Sequence, residues 1–160
     1  MLRPGRRLGV DVGQARIGLA VTDIHAILAS PLATVTRLDN LSDSIESVVS
    51  ELSEAGELLE VYVGVPINLQ GKSTLSTEDA VSFAEALEAK LGLVVRLVDE
   101  RLTTSMANNQ LKQIGKSQKD ARATIDQMAA VAILEFALSV EKNTGLAAGL
   151  TIEEWKERNE

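Results

Sequence analysis

Leu8-Gly-Val-Asp-Val-Gly-Gln-Ala-Arg-Ile-Gly-Leu-Ala-Val-Thr-Asp23 is the stretch whose reading decides the fold. Leu8, Val10 and Val12 alternate with Gly9, Asp11 and Gly13, and a period of two predicts a strand. Gln14-Ala15 is a tight turn, and the apolar run after it is the second arm of a hairpin. Asp is a poor strand former, so a carboxylate in the middle of an apolar strand calls for a reason. Gly9 and Gly13 clear space on the Asp11 face, where something bulky can approach the backbone. A metal ion carrying a phosphate suits that gap. The alternative is a carboxylate hydrogen-bonded to nearby turn amides.

Outward from the hairpin, Ala33–Thr36 reads as a third strand, which makes an antiparallel meander. A helix over Leu41–Ala55 follows, with Gly56 as its C-cap. Residues 60–65 are a short, nearly continuous apolar strand ended by Pro66. A helix over Thr77–Leu91, a strand over 93–98, a helix over Thr104–Ile114 and a last helix over Ala123–Lys142 complete the order. Ile125, Met128, Ala129, Ala132, Ile133 and Phe136 form the apolar face of that last helix. The pattern predicts an α/β fold with a mixed five-stranded sheet, three antiparallel strands then two parallel, and helices on both faces. Residues 1–142 read as one domain, and 143–160 as a loosely ordered tail.

The chain has 160 residues, no cysteine and one histidine, His25. Disulfides, thiolate metal sites and His-rich zinc sites are excluded, so any metal is held by oxygen ligands, which favours Mg²⁺ or Mn²⁺. No segment reads as a signal peptide or membrane span, and the expected location is the cytoplasm. The net charge of −7 conceals an uneven distribution. Residues 38–71 hold seven acids and no base; residues 101–122 hold Arg101, Lys112, Lys116, Lys119 and Arg122 against Asp120 alone; the first 22 residues hold four arginines against Asp11. One acidic and one basic side are expected, the basic one suited to a phosphate backbone. The aromatics are Tyr62, Phe83, Phe136 and Trp155. With both phenylalanines read as core, no platform for stacking single-stranded bases is expected.

Three further acids stand out. Asp99-Glu100 ends the last strand, and Asp126 lies beside the packing face of the last helix, where a carboxylate is costly unless it is paired or binds a cation. Together with Asp11 they come from distant segments and would repel one another. Two divalent ions relieve that repulsion and can activate water for attack on a phosphodiester.

The motifs now assembled resemble those of the YqgF (RuvX) family. The resemblance rests on Gly9–Asp23, on Val63-Gly-Val-Pro-Ile-Asn-Leu-Gln-Gly71, on Val98-Asp-Glu-Arg-Leu-Thr-Thr-Ser-Met-Ala107 and on Ile125-Asp-Gln-Met-Ala-Ala-Val-Ala-Ile-Leu134, in that order. It implies an RNase H-like three-layer fold and a cytoplasmic nuclease that processes the 5′ end of pre-16S rRNA during ribosome maturation. A Holliday junction resolvase acting on branched DNA is the alternative substrate reading. A non-catalytic RNA- or ribosome-binding protein and an ATP-binding module are the alternatives of another class. The resemblance implies Asp11, Glu100 and Asp126 as catalytic, metal-binding acids, with Asp99 as substitute for Glu100. Related resolvases often carry a fourth carboxylate one helical turn after the last acid. Ala129 and Ala130 stand there instead, so a second Mg²⁺ or Mn²⁺ is expected to bind weakly without substrate. Arg16, Arg101, Lys116, Lys119 and Arg122 are candidate contacts to the nucleic-acid backbone, and Thr103 and Thr104 candidate caps of a phosphate-binding helix terminus. Gly13, Gly64, Asn68 and Gly71 are expected to shape loops beside the site. The expected partners are structured RNA of a ribosomal precursor, or branched DNA, with no membrane, bound by a monomer or weak dimer.

Overall fold

The hairpin forms as its periodicity requires. In the computed structural model, which describes residues 2–103 and 118–159 and the side chains of 118–123 not at all, β1 (Arg6–Val12) and β2 (Arg16–Thr22) pair antiparallel. β3 (Ala29–Thr36) adds to β2, starting four residues earlier than the expected Ala33 because Ala29, Ser30 and Pro31 also pair across to β2. β4 (Leu58–Val65) lies parallel to β1, and β5 (Val95–Asp99) parallel to β4.

Among the described residues the expected five strands are six. The stretch from 143, expected to be loosely ordered, instead supplies β6 (Leu150–Thr151), antiparallel to β5, and a short helix. Gly149 lets it dock: its φ is +70°, and a Cβ there would lie 2.3 Å from the carbonyl oxygen of Leu97. The sheet order is β3-β2-β1-β4-β5-β6.

Among the described residues four helices surround the sheet: α1 (Leu41–Glu51), α2 (Leu75–Leu91), α3 (Gln118–Thr144) and α4 (Ile152–Arg158). The expected helix over 104–114 lies outside the described residues. Asn40 caps α1, whose regular turns stop at Glu51, short of the expected Ala55. Thr74 caps α2 through a reciprocal pair with Thr77, and Gly92 closes it in the left-handed conformation that its φ of 67° requires. Leu8, Val10, Ile17, Leu19, Val61 and Val63 face α1 and α2 and are buried with Val48, Phe83 and Leu87. The opposite sheet face, with Ala20, Tyr62 and Val98, carries α3. α3 presents Ala130, Ile133, Leu134 and Ala137 to the sheet, whereas Met128, Ala132 and Phe136 are only partly buried, so its contact face is rotated from the expected one.

Gly9, expected to make room for a ligand, makes room for α3. A Cβ on Gly9 would lie 2.7 Å from both the Ala130 oxygen and the Leu134 side chain. Two of the arginines near the N-terminus, Arg3 and Arg7, are tied to carboxylates. Arg7 is fully buried, and its guanidinium bonds Glu141 near the far end of α3 at 3.0 Å and the Arg3 and Gly5 carbonyls. Arg3 joins Glu141 to Glu60, which accepts from the Tyr62 hydroxyl. Burial works against the charge of Glu141, but the hydrogen bonds from Arg3 and the charges of both arginines outweigh it and hold the carboxyl at about 2. This network ties β1, β4 and α3 together. Among the described residues no helix is long and apolar enough to cross a membrane.

Candidate active site

Asp11 sits near the C-terminal end of β1 and is paired across the ladder with Gly18 on β2 and Gly64 on β4. Directly paired residues point to the same sheet face. The row Gly18–Asp11–Gly64 therefore presents one carboxylate between two bare positions, and each bare position is occupied from above by a segment bearing another acid. A Cβ on Gly18 would lie 2.0 Å from the backbone oxygen of Asp126, where α3 crosses β2. A Cβ on Gly64 would lie 2.7 Å from Cγ and Oε1 of Glu100. Glycine at both positions is what allows residues 126 and 100 to approach Asp11.

Glu100, not Asp99, turns toward Asp11. The strand ends at Asp99 and residues 100–102 wind into a single tight helical turn, which carries the Glu100 side chain over Gly64. Asp11 and Glu100 share a side-chain hydrogen bond, which requires a proton between them. Burial first, then that bond and the charges of Asp11 and Asp99, push the Glu100 carboxyl up to about 9. Burial also raises Asp11, the bond with Glu100 opposes the rise, and the charge of Asp126 adds to it.

Asp126 is close enough to act on Asp11 electrostatically, but its side chain faces Arg16. The Arg16 Nε donates to Oδ2 of Asp126 at 2.7 Å, with the two side chains 37% and 17% exposed. Among the described residues no three acids or histidines are grouped closely enough to hold an ion as they stand. Two of the three expected ligands are together; the third is drawn aside by a counter-ion one strand away.

The other candidate residues are distributed differently from expectation. Asp99 accepts from Arg101 through Nε and Nη2, the shortest contact being 2.6 Å, and caps the tight turn through the Arg101 N–H. Burial opposes its charge, but Arg101 holds it below the usual carboxylate range. Thus Arg101, expected on phosphate, is paired with the carboxylate expected as a substitute ligand. Thr103 donates back to the Glu100 carbonyl at 3.3 Å and closes that turn, so its hydroxyl is engaged within its own loop. Asn68 folds its loop, its Oδ1 accepting from the backbones of Gln70 and Lys72. Gly71, at a φ of +77°, borders Arg101. Gly13 closes the hairpin: its N–H donates to the Arg16 carbonyl at 2.8 Å, and a Cβ there would lie 2.6 Å from that oxygen. Thr104 and Lys116 lie outside the described residues, and of Lys119 and Arg122 only the backbone, in the first turns of α3, is described. Gly18 and the counter-ion role of Arg16 escaped the sequence reading. A lone glycine inside an otherwise apolar strand, Arg16-Ile-Gly-Leu19, was the available signal.

Residues 5–140 match the family model described as RuvX, Holliday junction resolvase. The chain belongs to the RuvX family. A protein of Leifsonia xyli subsp. xyli named "Putative pre-16S rRNA nuclease" is 44% identical over 154 residues, 95% of this chain and 97% of the relative. The same name is carried by a Mycobacterium tuberculosis protein 47% identical over 132 residues, 82% of this chain and 76% of the relative. Among solved structures, Thermus thermophilus RuvC matches with a TM-score of 0.54 at 15% identity, covering 91% of this chain and 99% of that one. RuvC in complex with a Holliday junction substrate matches with a TM-score of 0.52 at 19% identity over 88% of this chain and 97% of that one. At such identities the likeness carries the fold, which is RNase H-like.

Proposed function

We propose that this RuvX-family chain is a cytoplasmic, metal-dependent nuclease that hydrolyses phosphodiester bonds in structured RNA, acting on the 5′ side of the 16S rRNA precursor. The observation that carries the reading is the row Gly18–Asp11–Gly64 with Asp126 and Glu100 set above its two glycines. The name shared by relatives at 44–47% identity supports the substrate.

The donor set fits a hard divalent cation, Mg²⁺ or Mn²⁺: it is entirely carboxylate, and its centre is a buried pair sharing a proton. Asp11 and Glu100 would hold the ion, with Asp126 joining after its carboxylate leaves Arg16. When bound, such an ion neutralises the acids and acts as a Lewis acid on the phosphate. At neutral pH the Asp11–Glu100 pair keeps one proton and offers two anionic groups only once that proton leaves. Arg16 neutralises Asp126 meanwhile and, being partly exposed, is free to turn to a phosphate when released. Water attack in line would leave a 5′ phosphate and a 3′ hydroxyl.

Four-way DNA is a second reading, supported by the family's description as a Holliday junction resolvase. The deciding experiment is parallel cleavage of precursor rRNA and junction DNA with Mg²⁺, Mn²⁺ or EDTA, by the native protein and by Asp11→Asn. Cleavage of precursor rRNA that EDTA and Asp11→Asn both abolish is expected. An Asp11→Asn protein as active as the native one refutes the acid cluster, and cleavage of the junction alone moves the substrate to DNA.

A further inference from the structure

We propose that a cleft walled by Trp155 receives an unpaired base of the RNA substrate, beside the bond to be cut. This inference rests on the nuclease reading above. The cleft, of about 400 Å³, lies where the ends of β4 and β5 meet α3 and α4. Leu97, Leu102, Phe136 and Trp155 line it, with Arg101 and Arg158 alongside them.

Three observations favour a base over another occupant. The first is position. The parallel strands β1, β4 and β5 end at one edge of the sheet, and ligands of open α/β sheets bind outside that edge. Asp11 and Glu100 stand at the β1 and β5 ends, and Asp99, Arg101 and Leu102, which flank Glu100 in the chain, line the cleft. A strand held at the acids and continuing past β5 runs into it.

The second is shape and chemistry. The Trp155 indole is half-buried against the core while bordering this cleft, and Phe136 adds a second ring. A flat aromatic with polar edges matches such walls, because every base has a π-face to stack. The third is charge. On a chain of net charge −7, this lining carries two arginines against Asp99. Arg158 is exposed and forms no salt bridge among the described residues, so it is available to the phosphate attached to a stacked base. The sequence expectation of no stacking platform rested on both phenylalanines being core. Phe136 is only partly buried and borders the cleft, and β6 docks the segment that brings Trp155 to it.

Trp155 is the chain's single tryptophan and walls both this cleft and a cavity beside α2, so its emission is read together with the variants below. The Asp11→Asn chain, expected to hold RNA without cutting it, is titrated in Mg²⁺ with an RNA hairpin bearing a short unpaired tail, and with the same hairpin blunt-ended. Trp155 emission is followed with unlabelled RNA, and affinity by anisotropy with labelled RNA. The expected result is that the tailed hairpin changes the emission and the blunt one does not. Trp155→Leu should weaken binding of the tailed hairpin roughly ten-fold and leave the blunt one unchanged. Arg158→Gln, an exposed change that spares the core, should weaken the tailed hairpin several-fold and is decisive if Trp155→Leu fails to fold. If both hairpins bind while the emission stays constant and the variants match the parent, the cleft proposal is overturned and the nuclease reading stands. If no RNA binds, both fall. An emission change that follows protein concentration without RNA places a second copy on the cleft and also overturns it.

Discussion

Replacing Glu100 with Gln should make the metal-free protein more stable while abolishing its activity. Glu100 has an ordinary pKa of 4.5, and in the fold it is pushed up to about 9. Between those values the folded chain binds a proton that the unfolded chain releases, so stability falls as pH rises through that window. Taking up a proton at pH 7 on a group of ordinary pKa 4.5 costs at most about 3 kcal/mol, and relaxation around the partly buried pair reduces that. A Gln amide donates to the Asp11 carboxylate with no proton drawn from solvent. The expected gain for Glu100→Gln at pH 7 in EDTA is about 1–2 kcal/mol, a rise in Tm of roughly 3–6 °C for a domain of this size. At pH 4.5 native Glu100 is protonated in the fold and half-protonated unfolded, so most of the gain should vanish. Added Mn²⁺ should then stabilise the native protein far more than the variant. Thermal melts followed by circular dichroism at both pH values check this. A variant less stable than the native protein at pH 7, or one whose advantage does not shrink in acid, refutes the shared-proton account of the pair.

Other perturbations test the remaining parts of the site. Gly18→Ala places a Cβ 2.0 Å from a helix backbone oxygen, which cannot yield as a side chain can, and should cost about 3 kcal/mol or more; a melt within about a degree of the native one counts against the close crossing of α3 over β2. Arg16→Met frees Asp126 and should raise the affinity of the nucleic-acid-free protein for Mn²⁺ roughly five-fold, read by titration of the free ion; an unchanged affinity means that Arg16 does not compete for that carboxylate. Glu141→Gln strips the buried Arg7 of its charge partner and should destabilise the fold by about 3–5 kcal/mol in a denaturant melt; a loss under about 1 kcal/mol would show that the carbonyls of Arg3 and Gly5 suffice.

Much of this arrangement was legible because it is written in short-range patterns. The period of two around Asp11 gave β1, and Pro66 gave the end of β4. The apolar spacing after Ala123 gave helix α3, whose Ala130 crosses close over Gly9. What was not legible depends on contacts between distant segments. Alternation cannot choose between Asp99 and Glu100, because the strand gives way to a tight turn between them. The direction of the Asp126 side chain is set by Arg16, 110 residues away, and nothing local to Asp126 records it. The tail was missed for another reason. β6 has two residues, too few for any periodicity, and its pairing depends on the turn at Gly149. Yet Thr151-Ile-Glu-Glu154 carries the spacing of a capping box, and the structure shows both of its hydrogen bonds. That signal was in the sequence and announced a helix where a loose end was expected.

Strand β1 and helix α3 meet at two charged clusters, and the contrast between them separates structure from chemistry. At one end Arg3 and Arg7 face Glu60 and Glu141, two cations against two anions, with Tyr62 bonded to Glu60. That cluster is electrically closed, and its role is to pin the N-terminal segment and α3 to the sheet. At the other end Asp11, Glu100 and Asp126 gather, and among the described residues Arg16 pairs with Asp126. Among the described residues, three carboxyls and one guanidinium leave an excess of two negative charges when all are ionised, and a shared proton removes one of them. Gathering like charges in a partly buried place costs stability that pairing recovers, and such clusters mark candidate functional sites. A divalent cation has the charge that closes the balance. The same helix thus carries a neutralised anchor at Glu141 and, toward its other end, the candidate site residue Asp126.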